Sequence, residues 1–211
     1  MNELINEIIS TALQVALCTL IPFIFFIFRK DKSLTFSNYI GLFKPSMKSV
    51  SYVFLFLASI LFLIGALGLI FLEESIKQAV LSPPSLTGIL RTMGLSGTSI
   101  IILLMVAIFK TALAEEILFR GFIAKRLTKT LGFEAGNLIQ AMLFGVIHLV
   151  LFWALTKATI AFLLFSFLFS FVAGWTIGYV KEKYANGSIM PGWIAHATGN
   201  VLSYIIIAFY I

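Results

Sequence analysis

Apolar residues in this chain fall in long runs separated by short polar breaks. A helix rises about 1.5 Å per residue, so about 20 mostly apolar residues are needed to cross the hydrocarbon of a bilayer. Runs of that order occupy Ile8 to Phe28, Val50 to Leu72, Thr98 to Arg120, Ala135 to Trp153, Ala158 to Val180 and Ser188 to Ile211. Helix breakers stand between them: Lys44-Pro45-Ser46, Ser82-Pro83-Pro84-Ser85, Leu131-Gly132-Phe133, and Asn186-Gly187 followed by Met190-Pro191-Gly192. Two connectors, Ser33 to Lys48 and Ser75 to Gly94, are too polar to span and are expected along the interface. The pattern predicts an all-α, polytopic membrane protein, with residues 1–211 forming a single transmembrane domain of about six helices.

Composition identifies the solvent. Of 211 residues, 60% are hydrophobic, 22 are Phe and 11% are charged, against about 25% charge in a soluble domain. The apolar side chains exceed what a core of this size can hold, so they face lipid, which excludes a soluble enzyme and a disordered chain. The net charge of +6 does not point to nucleic acid, because the positives sit between apolar runs and not on a face interleaved with aromatics. Cys18 is the single cysteine, so there is no intrachain disulfide. Glu3 and Glu7 replace the basic start of a secretory signal, and the first run reads as a retained helix.

The positives orient the bundle. Arg29, Lys30, Lys32, Lys44, Lys48, Lys125, Arg126, Lys129, Lys181 and Lys183 lie in odd-numbered connectors, whereas the even-numbered ones hold Lys77, Arg91 and Lys157. Cytoplasmic loops are enriched in Lys and Arg, which places both termini outside. In the fifth span Ser166, Ser170, Gly174 and Gly178 recur every four residues; small residues at that spacing permit close helix contact, within the chain or between copies, and the oligomeric state stays open.

The third span departs from the apolar pattern with Lys110, Glu115, Glu116 and Arg120. Each charge near a helix centre costs about 2.5–3.5 kcal/mol on insertion scales. Such groups therefore need polar partners inside the bundle and are functional candidates. Glu116 and Arg120 share a helix face in the favourable acid-before-base order, while Glu115 lies about 100° around the helix. Both glutamates simply neutralising Arg120 and Lys110 is one reading; Lys110 faces neither carboxylate at helical spacing. The only histidines, His148 and His196, stand on two further apolar helices, where a single His is commonly a helix-to-helix hydrogen-bonding group. Together with Asn200 and the carboxylates they make the inventory of a hydrolytic centre. Counted along the helices from the cytoplasmic ends, the three groups reach compatible depths of roughly 12–20 Å.

At these residues the chain resembles the CPBP intramembrane proteases, which include Rce1-type CAAX prenyl proteases and the bacteriocin-processing or self-immunity proteins also called Abi. The family pattern of EExxxR, FxxxH and HxxxN matches Glu115 to Arg120, Phe144 to His148, and His196 to Asn200. The resemblance covers roughly residues 98–211, which would form the catalytic core. It implies peptide-bond hydrolysis at or within the membrane, with Glu115 and His148 activating a water and His196 and Asn200 stabilising the oxyanion. Glu116, Arg120 and Phe144 would support them. No cofactor is favoured; the alternative, since the family has also been described as metalloproteases, is zinc held by Glu115, His148 and His196, although no HExxH helix is present.

High Ile, Phe and Lys with simple loops suggest a bacterial plasma membrane. Expected partners are membrane lipid and hydrophobic peptides or membrane-protein helices, such as bacteriocin or pheromone precursors. A non-proteolytic immunity or regulatory protein that binds a sensor kinase is the alternative from another class. A proton-coupled transporter is disfavoured by the absence of inverted repeats. A reporter fused to the C-terminus is expected to read as extracytoplasmic; a cytoplasmic signal reverses the orientation.

Overall fold

The computed structural model describes residues 2–29, 33–45, 52, 56, 59–60, 63–65, 67–68 and 74–211. The described residues form helices and no strand. Five helices are long and apolar enough to cross a membrane: α1 (Asn2–Ile27), α5 (Gly97–Leu131), α6 (Phe133–Leu155), α7 (Ile160–Tyr184) and α8 (Met190–Phe209). Three shorter ones, α2 (Phe36–Tyr39), α3 (Glu74–Leu81) and α4 (Leu86–Met93), precede α5. Most of the expected span Val50 to Leu72 lies outside the described residues. Of those described, Ser59 is buried and its hydroxyl faces the Ala195 carbonyl of α8 at 3.4 Å, and Gly65 abuts the Phe169 ring of α7.

Local chemistry explains the helix boundaries. Ser96 and Ser99 form a reciprocal capping box at the start of α5, satisfying amides that would otherwise be orphaned. Ser85 and Thr159 cap α4 and α7 with a side-chain oxygen alone, accepting from the Gly88 and Phe162 amides. Gly132 adopts φ +81°, a conformation that suits glycine, and turns the chain from α5 directly into α6. The two connectors read as interfacial differ. Within 33–48 only the single turn of α2 is helical among the described residues, whereas 75–94 holds α3 and α4, and α4 enters the interior, with Leu90 packed against Ile102, Leu103, Val106 and Ala208.

α5 is the axis of the bundle and longer than its apolar run. It continues past Arg120 to Leu131 and contains two π-helical stretches, Val106–Leu113 and Glu116–Ala124. π turns leave the regular carbonyl-to-amide ladder and often mark functional positions. The Trp193 indole on α8 donates to the Ile108 carbonyl within the first stretch at 2.8 Å. On the opposite side of the site, α6 and α7 form a close pair. Asn137 and Gln140 of α6 are buried and donate to the Trp175 and Gly174 carbonyls of α7. A Cβ on Gly178 would stand 1.9 Å from the Asn137 Oδ1, so the small-residue series of α7 serves packing within the chain. The outward faces stay apolar and exposed, as at Leu155, Ile160 and Leu164.

Lys110 has a partner far away in sequence. Its ammonium meets Glu7 of α1 at 2.8 Å, with both side chains largely buried. This pair ties the first helix to the charged helix across the bundle. Removing one member leaves a charge without a counter-ion at a largely dehydrated position, a loss that costs about 3 kcal/mol or more in fully buried pairs. Glu7→Ala is expected to lower stability in detergent by about 2–3 kcal/mol, and the charge-swapped Glu7→Lys/Lys110→Glu protein to recover at least half of that. Equal stability of wild type and Glu7→Ala in thermal unfolding rules the tie out.

Candidate active site

Three helices bring the ionisable groups to one place, and the Phe144 ring of α6 is their common surface. The Arg120 guanidinium lies 4.2 Å over that ring. The His148 ring, one turn later on α6, is 4.4 Å from it at 56°, the His196 ring of α8 meets it edge-on at 6.5 Å, and Phe119 packs edge-on at 4.9 Å. Phe144 is itself buried. A cation over an aromatic face is attracted by the ring quadrupole, more strongly where water is excluded, so one side chain both joins these groups and receives part of the charge.

The two adjacent glutamates have different surroundings. Glu116 and Arg120 form the i,i+4 ion pair at 3.2 Å, and neither side chain has any exposure. The same Glu116 oxygen faces Nδ1 of His196 at 3.4 Å, so this carboxylate bridges a guanidinium and an imidazole. Glu115, one residue earlier, keeps 23% of its side chain accessible, and its Oε2 stands 3.9 Å from Nε2 of His196. The Oε2 atoms of both carboxylates are buried and accept no hydrogen bond among the described residues. Glu116 is thus locked into the frame, while Glu115 is the one of the two whose side chain is partly exposed.

The ring nitrogens are oriented by their neighbours. A carboxylate only accepts, so Glu116 selects the proton on Nδ1 of His196 and turns Nε2 toward Glu115. In the same way Nδ1 of His148 lies 2.8 Å from the Phe144 carbonyl; it donates there, which leaves Nε2 as the free lone pair of the neutral ring. Asn200, one turn beyond His196 on α8, donates to the Thr111 hydroxyl at 2.9 Å. Thr111 in turn reaches the Val106 and Ala107 carbonyls. Glu115, Glu116, Arg120, Phe144 and His196 therefore make direct contacts, His148 joins them through Phe144, and Asn200 sits one turn away on Thr111.

Thr111 belongs to this arrangement, and the sequence reading missed it. A threonine in an apolar run is unremarkable by type, although it precedes Glu115 by four residues and so recurs on its face. Two glycines were also missed as site residues. A Cβ on Gly192 would stand 2.4 Å from Ile177 and 3.0 Å from the Glu116 Oε2, and one on Gly174 would press on Phe144 and Arg120 at 3.2 and 3.4 Å. Both bring neighbouring backbones close enough to enclose the ion pair. A catalytic zinc commonly takes three protein ligands; among the described residues no three His, Cys, Asp or Glu side chains gather as such a set.

Comparison with known families matches residues 97–202 to the type II CAAX prenyl endopeptidases, Rce1-like. This stretch contains all of the contacting groups and half of the chain. No curated protein and no solved structure matches the chain.

Gly192→Ala tests the closeness of the frame. The added methyl meets Ile177 and the locked carboxylate, and overpacking of this kind costs about 1–3 kcal/mol. The variant is expected to unfold at lower temperature than wild type, whereas Gly187→Ala, whose Cβ would meet open space, is expected to show only the smaller cost of its positive φ. The reverse order of the two contradicts the packing described.

Proposed function

From the premise that the chain belongs to the Rce1-like family of CAAX-type intramembrane endopeptidases, we propose that it cleaves hydrophobic peptides or membrane-protein helices by metal-independent attack of water. The observation that carries this reading is the division of labour between adjacent glutamates: Glu116 is locked to Arg120 and His196, and Glu115 alone retains access. In this reading Glu115 accepts a proton from water while the free Nε2 of His148 orients it. A general base must come within reach of the proton that it takes, and the partly exposed Glu115 side chain is the one of the two that can.

The oxygen of the water bonds to the scissile carbonyl carbon, and the carbonyl electrons move onto its oxygen. The proton taken from water passes to the Glu115–His196 pair, so that Nε2–H of His196 becomes a donor. That N–H and the remaining N–H of Asn200, oriented by Thr111, stabilise the oxyanion. Collapse of the intermediate breaks the C–N bond, and the stored proton goes to the leaving amine. Arg120 and Glu116 hold the geometry and touch no reacting atom.

The substrates proposed are bacterial: leader-bearing bacteriocin or pheromone precursors, or a helix of a membrane partner. High Ile, Phe and Lys with simple loops support a bacterial plasma membrane, with the charged connectors in the cytoplasm and both termini outside. Glu115→Ala, His148→Ala and His196→Ala are each expected to lower processing about 100-fold or more while the protein still inserts, as read by mass spectrometry of membrane peptides. Retained processing in all three, or full complementation of a deletion by Glu115→Ala, overturns the proteolytic reading. Loss of cleavage with chelator and recovery with zinc overturns only the metal-independent part.

A further inference from the structure

The connectors that carry most of the positive charge meet at one end of the bundle and border an open cavity away from the Glu115 cluster. Lys125 of α5 donates to the Asn38 and Tyr39 carbonyls of the first connector, and Arg126 donates to the Tyr39 hydroxyl. From the last connector, the Ile189 amide donates to the Gly41 carbonyl at 2.9 Å. Between them lies a cavity of about 660 Å³, lined by Lys125, Lys129, Lys181, Glu182, Asn38 and Asn186 among others. Lys181 is 2% exposed and paired with Glu182. Three lysines and one glutamate line it, so the lining keeps an excess of two positive charges.

A second feature fixes the level of this cavity. At the same end of α7, Trp175 and Tyr179 stack at 5.2 Å, Tyr179 packs on Tyr184 at 6.1 Å, and Lys183 lies over Phe133 at 4.4 Å. Trp and Tyr collect at the headgroup level of a bilayer. A pocket with excess positive charge between helices at that level has the chemistry of a site for a phosphate-bearing headgroup. An ammonium has three donors. Lys125 uses two on carbonyls, which leaves one to aim at an anion, and amide groups from Asn38 and Asn186 stand beside it.

The geometry points to a binding site for the headgroup of an anionic phospholipid at this end of the bundle. Its walls come from the first connector, from α5 below Glu115 and from the segment that leads into α8 and His196. A bound phosphodiester clamps the three against one another and offsets the repulsion among the lysines. The ligand is a structural one, held apart from the Glu115 cluster, and its binding does not require proteolysis.

Titration of the purified full chain in detergent tests it, with phosphatidylglycerol, phosphatidylcholine of the same acyl chains, and inorganic phosphate as the three probes. Native mass spectrometry reads bound lipid and thermal unfolding reads the clamp. Phosphatidylglycerol is expected to be retained and to raise the unfolding temperature, phosphatidylcholine to do neither, and inorganic phosphate to produce less than half of the shift. Neutralising a lysine near an anionic headgroup is expected to weaken binding about fivefold, so Lys125→Gln/Lys129→Gln should bind phosphatidylglycerol about 25-fold more weakly. If that protein does not fold, Lys129→Gln alone, at an exposed position, should show the fivefold loss. Equal binding of both lipids, or wild-type affinity in the variants, overturns the site. A full shift with inorganic phosphate alone reassigns it to a free anion.

Discussion

Two opposite charges with no exposure at all, Glu116 and Arg120, impose the central constraint on this bundle. Lipid solvates neither, and an isolated helix carrying Lys110, Glu115, Glu116 and Arg120 would face an insertion cost of about 10–14 kcal/mol. The pair is tolerable only where other helices supply what water would. Phe144 offers its ring face to the guanidinium, His196 offers a nitrogen to the carboxylate, and the glycines at 174 and 192 let backbones close around both. The arrangement of α6, α7 and α8 about α5 follows from that requirement, because each contributes one element of the charge's surroundings.

The same constraint separates the two glutamates. Along a helix, neighbouring side chains point in different directions, and here one direction leads into the closed frame and the other into an accessible space. Arg120 pairs with Glu116, four residues before it, and not with Glu115. Glu115 is left partly exposed next to His196. The π stretches on either side of Glu115 alter the helical spacing where these directions are set. The Thr111–Asn200 bond then extends the contact between α5 and α8 by one turn.

Much of this was legible in the sequence because membrane solvent makes polar residues conspicuous. Glu115, Glu116, Arg120, His148 and His196 stand out against apolar neighbours, and spacing alone placed Glu116 beside Arg120. The helix pattern likewise marked the five described spans, since length and apolarity are properties of each segment separately. What escaped depended on relations between segments. Lys110 showed no local partner because Glu7 lies on another helix, at a separation no periodicity encodes. Thr111 and Gly192 have ordinary residue types, and their roles come from what approaches them. The extension of α5 to Leu131 was hidden because Lys125, Arg126 and Lys129 read as a connector, although lysine and arginine are good helix formers and need only leave the hydrocarbon.

Charge in this molecule is handled in two distinct ways according to depth. Inside the bundle, among the described residues, Arg120 has Glu116 and Lys110 has Glu7 as a counter-ion within contact distance. At the end where the connectors meet, lysines outnumber carboxylates and water and ions can approach. α5 carries both regimes on one continuous helix, with the π-helical stretch Glu116–Ala124 between Glu115 and Lys125. Lys125 and Arg126 tie one end of this helix to the first connector, and the Glu116–Arg120 pair with His196 ties its interior to α8. The helix that carries Glu115 is thus held at both levels, by polar contacts at the charged end and by the closed ion pair inside.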